Sequence, residues 1–300
     1  MLISLVSRPC LFQCLLVAVS VLAATAVVSA QEHKIKIHRP VKVGDTYTLS
    51  ARGSCETQAI LTLAGSPPNT QEQKNEIEIE GTITVLAVNV QGNATKVSCI
   101  ADKCLLNDKP LCNPGDSIVA ENLGTKSKYT VKGEVADEPT TKALSIVMDT
   151  ADPESKTDDD ASFGTDQPQK AEGTWPVHPE PIAQELTRRG LTVKGENVKG
   201  TGKLAAVTQV DGNDVLTVVV DISIEGVKPP LPPTATLESC SVTTHMSGEL
   251  PADAGARPLS QSVSMEMKMR ANIAGENNQN VALSTIYAQK AEKTFGPAKK

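Results

Sequence analysis

Aromatic side chains are scarce in this 300-residue chain, with one Trp, three Tyr and three Phe. Beyond residue 30 they are Tyr47, Tyr129, Phe163, Trp175, Tyr287 and Phe295, scattered through the sequence. Surfaces that stack bases or sugars need several aromatic faces in one place. Basic clusters are missing too. The chain carries 29 Lys and Arg against 35 Asp and Glu, a formal net charge of −6. A mildly acidic chain with dispersed lysines lacks the electrostatic footprint of a nucleic-acid binder or of a protein held on anionic lipid. Histidine occupies only four positions, His33, His38, His178 and His245, and none falls in a metalloprotease motif. The Gly-x-Ser-x-Gly elbow and the phosphate-binding P-loop are absent as well. These gaps lead to the expectation of a protein that is not an enzyme, uses no cofactor and engages no nucleic acid.

A long hydrophobic run stands at the start. Arg8 precedes an almost wholly apolar stretch from Leu11 to Val28, and Val28-Ser29-Ala30 puts small residues before Gln31. This is the pattern of a secretory signal peptide over residues 1–30, cleaved after Ala30. An uncleaved membrane anchor is the alternative, because about 18 apolar residues can just span a bilayer. Cleavage would leave a secreted or periplasmic chain with no further membrane attachment. It would retain Cys55, Cys99, Cys104, Cys112 and Cys240. In an oxidising compartment such cysteines are disulfide candidates. Their pairing stays open, with one thiol left over. Read as a thiolate metal site, the cluster Cys99-x4-Cys104-x7-Cys112 has no fourth ligand in view.

The clearest structural signal lies at Glu76–Val85. Ile77, Ile79, Ile83 and Val85 alternate with Glu76, Glu78, Glu80, Thr82 and Thr84. A period of two separates faces only in an extended chain, so this is a strand with one buried and one wet face. Gly81 is where so long a strand would bend. The stretch continues to Ile100 through Gly92-Asn93, and a variant recurs at Gly200–Ile222 through Gly212-Asn213. Both read as hairpins whose turns need residues that tolerate positive φ.

The expected fold is therefore mainly β, with long antiparallel strands in two similar halves, forming a sandwich or an open half-barrel with one or two short helices. The halves are residues 31–148 and 173–291, joined by an acidic linker or flap at 149–172 and followed by a loose tail at 292–300. One helix is expected over Thr140–Met148. A second is expected over Pro181–Arg189, where proline suits the first turn and Gly190 the stop. Asp158-Asp159-Asp160 lacks the spacing of a calcium loop and reads as a solvated acidic run. Pro229–Pro233 reads as a stiff connector. Asn93-Ala94-Thr95 matches a glycosylation sequon at a hairpin tip.

The order of the acidic run, Phe163-Gly164, Gly173-Thr174-Trp175-Pro176-Val177, a short helix and Val198-Lys199-Gly200 before a Val-x-Gly-x hairpin is similar to a group of uncharacterised exported bacterial β-rich proteins. That resemblance covers the second half of the chain and implies no activity. By architecture, long curved antiparallel strands with a short helix also look like the LolA-like half-barrels that carry lipoproteins in the periplasm.

Met265, Met267 and Met269 alternate with Glu266 and Lys268, so in a strand the three thioethers share one face. Three readings stand: ordinary core, the lining of a site for a lipophilic ligand, or a soft Cu(I) site with His245 as a further ligand. The functional expectation is an exported, non-enzymatic binding or structural protein of the cell envelope. The alternatives are a periplasmic carrier of a lipophilic small molecule on a concave sheet face and a Cu(I)-binding module. Intact-mass measurement of the protein after export is expected to place its N-terminus at Gln31; a mass that includes residues 1–30 would mean a retained anchor.

Overall fold

Alternation in sequence becomes alternation in burial. In the computed structural model, which describes residues 31–63, 66–124, 126–274 and 280–298, Ile77, Ile79, Ile83 and Val85 are 3% exposed or less. The glutamates and threonines between them lie on the other face, half-buried or exposed. This stretch belongs to β2 (Asn69–Val88), which pairs with β1 (Thr46–Leu63) and β3 (Ala94–Leu106). The register against β3 shifts between Glu80 and Gly81, so the irregularity falls at the expected glycine. A Cβ on Gly81 would stand 2.3 Å from the Ile100 carbonyl oxygen and 2.8 Å from Cys99 Sγ, and only glycine admits that approach.

From β3 the chain turns through β4 (Lys109–Pro110) and continues to β5 (Ser117–Asn122), β6 (Ser127–Val131) and β7 (Glu134–Val135). Helix α1 (Glu138–Val147) follows, its first turn capped by Asp137, whose carboxylate accepts from Thr140 N at 2.9 Å. The segment expected as a linker carries α2 (Asp159–Phe163). Then come β8 (Thr174–Pro176), α3 (Pro179–Arg188) and a single 3-10 turn at Gly195–Asn197. The last strands are β9 (Val198–Val210), β10 (Asn213–Glu225), β11 (Ala235–Pro251), β12 (Ser260–Ala274) and β13 (Asn280–Pro297).

Among the described residues all 13 strands join one antiparallel sheet in the order β7-β6-β5-β3-β2-β1-β13-β12-β11-β10-β9-β8, with β4 beside β3. The sheet is open, with the short strands β7 and β8 at its edges, and is not a sandwich. The chain starts in the middle, works outward to β7, crosses by way of the helices to β8, and returns strand by strand to the middle. The two related segments are both hairpins, β2–β3 next to the centre and β9–β10 next to an edge. In the second, the left-handed residues are Asp211 (φ 51) and Gly212 (φ 79), one position earlier than expected. In the first, Asn89 Oδ1 accepts from the amides of Gln91 and Asn93 and tightens the loop. Asn93 is thereby half-buried and Thr95 buried, so the sequon is less open than a hairpin tip implies.

Three other expectations change. Residues 292–297, expected as a loose tail, are the end of β13, where Phe295 packs on Tyr47 with ring centroids 5.9 Å apart. The acidic run is not merely solvated. Asp158 caps α2 through Ala161 N at 2.8 Å, and Asp160 Oδ1 accepts from Ile37 N at 2.7 Å and His38 N at 3.3 Å. Those bonds dock the arm at residues 31–41 along the fold, where Arg39 donates to the Pro251 carbonyl at 2.8 Å. Finally, where disulfides are expected, Cys55, Cys99, Cys104, Cys112 and Cys240 are free, buried thiols. The signal segment lies outside the described residues. Among those described, no helix is long and apolar enough to cross a membrane.

Buried side chains form two clusters. Ala143, Leu144, Ile146 and Val147 of α1 pack with Ile77, Ile79, Ile83, Ile118 and Tyr129. Ile182 and Ala183 of α3 pack with Trp175, Leu204, Leu216, Val218 and Val220, joined by Ile35 of the arm. Gly81→Ala is expected to cost about 1–3 kcal/mol, as overpacking against backbone does. Val90→Ala, at a residue 84% exposed, is expected to stay within about 0.5 kcal/mol. Urea midpoints of the two variants provide the check, and equal midpoints would contradict the close approach.

Candidate functional site

Both helix-capped clusters lie on the same face of the sheet, and the strand registers show how they connect. One row runs Val220 (β10), Met246 (β11), Val263 (β12), Ala291 (β13), Gly53 (β1) and Ile77 (β2). Val220 belongs to the second cluster and Ile77 to the first. A Cβ on Gly53 would come within 2.4 Å of Ile146 Cγ2, so α1 rests directly on this row. Every second residue on either side of the row therefore points to the helix-bearing face.

Away from α1, this face carries a strip of apolar side chains across β11, β12, β13 and β1. Met267 stands between Val242 and Tyr287. In the next row Met269 lies between Cys240 and Thr285, with Ala59 beyond. The row after that runs Leu237, Ala271, Leu283 and Leu61. Val242, Cys240 and Ala271 are buried, whereas Met265, Met267, Met269, Tyr287, Leu283 and Leu61 are half-buried. The methionines pack against the second cluster and Tyr287 against the first. Burial pushes the Tyr287 phenol above its usual pKa, so it stays neutral, and its hydroxyl donates to Gln289 Oε1 at 2.9 Å. On the β2 side the strip ends abruptly: Gln73, Gln71 and Asn69, opposite Thr57, Ala59 and Leu61, are polar and exposed. Four strands about 4.8 Å apart and a length from Met265 to Ile273 at about 3.3 Å per residue give roughly 15 by 25 Å. Half-exposed apolar surface on that scale is a mark of a binding face.

The structure brings Met265, Met267 and Met269 onto this face and leaves His245 off it. His245 is opposite Ser264, one position out of phase with Met246, and its Nδ1 meets Asp221 Oδ1 at 2.7 Å on the other side of the sheet. A Cu(I) site drawn from these residues would be built of thioethers alone. Glu266 and Lys268 also take the outer face, paired at 2.6 Å. Among the described residues no three His, Cys, Asp or Glu converge as a metal-binding group. Of the five cysteines, Cys240 borders the strip, and Cys55, Cys99, Cys104 and Cys112 lie in the first cluster, Cys55 beside Asn75 of β2.

Leu61, Leu283, Tyr287 and Val242 were not legible as site residues. Their alternation marks strands, but only the β1–β13 pairing places them beside the methionines. Grooves elsewhere are more charged. The groove beside α3, about 810 Å³, is lined by Glu154, Lys156, Glu180, Arg188, Lys194 and Glu196 among others. Another of about 520 Å³ lies between Lys36, Asp160, Asp166, His178 and Glu180.

No family model matches this chain, and no curated protein sequence matches it. Among solved structures it is similar to a LolA superfamily protein from Nitrosomonas europaea, at 8% identity over 82% of this chain and 86% of that one, with a TM-score of 0.18. It is also similar to lipovitellin, in a structure describing lipid–protein interactions, at 9% identity, 84% of this chain and a TM-score of 0.26. It spans 26% of the lipovitellin chain. The toluene transporter TodX of P. putida gives 5% identity, 87% and 91% coverage and a TM-score of 0.20. At these TM-scores the superpositions carry no argument, and the functional reading rests on the residues of this chain.

If the three methionines serve as an adaptable apolar surface, Met265→Leu, Met267→Leu and Met269→Leu should each cost less than about 1.5 kcal/mol, the usual limit for swaps that conserve volume. Thermal melts of the single variants test this, and a larger loss in any one would give its sulfur a specific role.

Proposed function

We propose that this protein is an exported, non-enzymatic carrier that holds a lipophilic small molecule on the helix-bearing face of its sheet, along the strip from Met265 to Ile273. The observation that carries this reading is the half-exposure of Met267, Met269, Leu283 and Leu61 side by side between two fully packed clusters. Such a surface gains free energy when an apolar ligand removes it from water, by about 25 cal/mol for each Å² covered. Thioethers suit the task because an unbranched, polarisable side chain adjusts to ligands of different shape. The polar boundary at Asn69, Gln71 and Gln73 would confine the ligand to the strip, and the buried floor of Val242, Cys240 and Ala271 would keep the sheet rigid beneath it.

Titration with a fluorescent polyene fatty acid tests the proposal. The wild-type protein is expected to bind it and to enhance its emission. The double variant Met267→Glu/Leu283→Glu is expected to weaken binding at least ten-fold, since losing about 1.4 kcal/mol or more of apolar contact corresponds to that factor. Ile286→Glu, on the opposite face beside Lys268, is expected to leave affinity unchanged. The proposal fails if the wild type does not bind, or if the outer-face variant loses as much as the inner-face pair.

A further inference from the structure

The helix-bearing face carries no charge along the strip. Followed from β11 across to β2, the four rows that contain Met265, Met267, Met269 and Ala271 include no Asp, Glu, Lys or Arg. Their polar members are all neutral, among them Gln289 in β13, Thr57 in β1, and Gln71 and Gln73 in β2. The same stretches of β12, β13, β1 and β2 carry Glu266, Lys268, Arg270, Lys290, Glu56 and Lys74 on the opposite face. A packed core would exclude charge as well, but Gln71 and Gln73 are exposed and Met267, Thr57, Leu283 and Gln289 are only half-buried. Charge is costly on such a surface if an apolar ligand covers it, because an unpaired ion then loses its hydration.

The basic groups that border the strip are already neutralised. Towards α1, the first charged residue of these strands on this face is Lys293, two rows beyond Met265 and paired with Asp149. At the end of α3, Arg188 and Arg189 both pair with Glu185.

Hydrogen-bonding groups, in contrast, gather at the α1 end. Tyr287 and Gln289 stand beside Met267 and Met265 on one side and Thr57 and Cys55 on the other. The Tyr287 hydroxyl donates to Gln289 Oε1 at 2.9 Å. Its oxygen can still accept, and Gln289 Nε2 donates to no group among the described residues. In the next row Gly53 and Ala291 lie under the close approach of Ile146, so the strip closes there.

We infer that the ligand of the strip is an electrically neutral lipid with a hydroxyl head group, held by Tyr287 and Gln289 where α1 closes the strip. Its apolar part runs over Met269, Leu283 and Leu61. This rests on the carrier reading and adds the class of ligand. A lipid hydroxyl accepts from Gln289 Nε2 and donates to Tyr287 Oη, so both protein groups are satisfied without an ion. A fatty-acid anion meets no free cation at that end. It binds only with its carboxylate left in water at the Leu61 end, and it gains nothing from Gln289.

Two fluorescent probes with the same polyene chain, one a fatty acid and the other the primary alcohol, are titrated into the full chain at pH 8, where the acid is ionised. The wild type is expected to bind the alcohol at least ten-fold more tightly than the acid. An alcohol is more apolar than a carboxylate, so the variants carry the decision. Gln289→Leu should weaken alcohol binding about three- to ten-fold, as the loss of one neutral hydrogen bond does, and leave the acid unchanged. Unchanged acid binding also shows that this variant is folded. Thr57→Lys, which sets a cation opposite Tyr287, should tighten the acid until it matches or exceeds the alcohol. If the wild type binds the acid as tightly as the alcohol, or if Gln289→Leu weakens both probes equally or neither, the neutral-head inference is overturned while the carrier reading stands. If the wild type binds neither probe, the carrier reading fails and takes the inference with it.

Discussion

The pairing of β1 with β13 holds this architecture together. It aligns Tyr47 with Pro297 at one end and Leu63 with Val281 at the other, along the whole of β1 after its first residue. Without it the molecule would be two separate sheets, each with a long unpaired edge. Exposed edges of that length invite association with other chains. Within the fold, the true edges are the two-residue β7 and the three-residue β8, which offer little backbone to pair with. The pairing also joins segments more than two hundred residues apart, so its contacts form only after much chain entropy has been lost.

The same seam sets the boundary between covered and uncovered surface. At its Tyr47 end, β13 contributes Ala291 and Phe295 to the packing around α1. Lys293, largely buried there, pairs with Asp149 just past the end of the helix. The small residues Ala51, Gly53 and Ala291 let α1 approach the sheet closely. Towards the Leu63 end, the same strands present Leu61, Leu283 and Tyr287 with no such close approach, and their side chains keep part of their surface in water. The proposed binding strip is thus the continuation of the core face beyond the place where helix packing stops.

Much of the fold could be read from the chain in advance because the relevant signals are local. Ile77–Val85 announced its own faces by alternation, α1 announced itself by the apolar residues Leu144, Ile146, Val147 and Met148, and α3 by its first-turn proline and stop glycine. The free roles of Asp158 and Asp160 were hidden, because their partners are a backbone amide in the next turn and an arm more than a hundred residues upstream. The end of β13 was hidden for a similar reason. Glu292, Lys293 and Thr294 look like a polar tail, and the partners that hold them, β1 and β12 on either side and Asp149 at Lys293, are all distant in sequence.

The candidate site divides along the same line. The sequence alone determined that Met265, Met267 and Met269 share a face and that Glu266 and Lys268 oppose them, since a strand's period of two follows from covalent geometry. Whether His245 joins them, which residues flank them and whether they are covered were decided by strand order and register. A register is fixed by contacts between distant segments, and a shift of one residue sends every side chain to the opposite face. No stretch of this sequence records that choice by itself, so only the assembled sheet could make it.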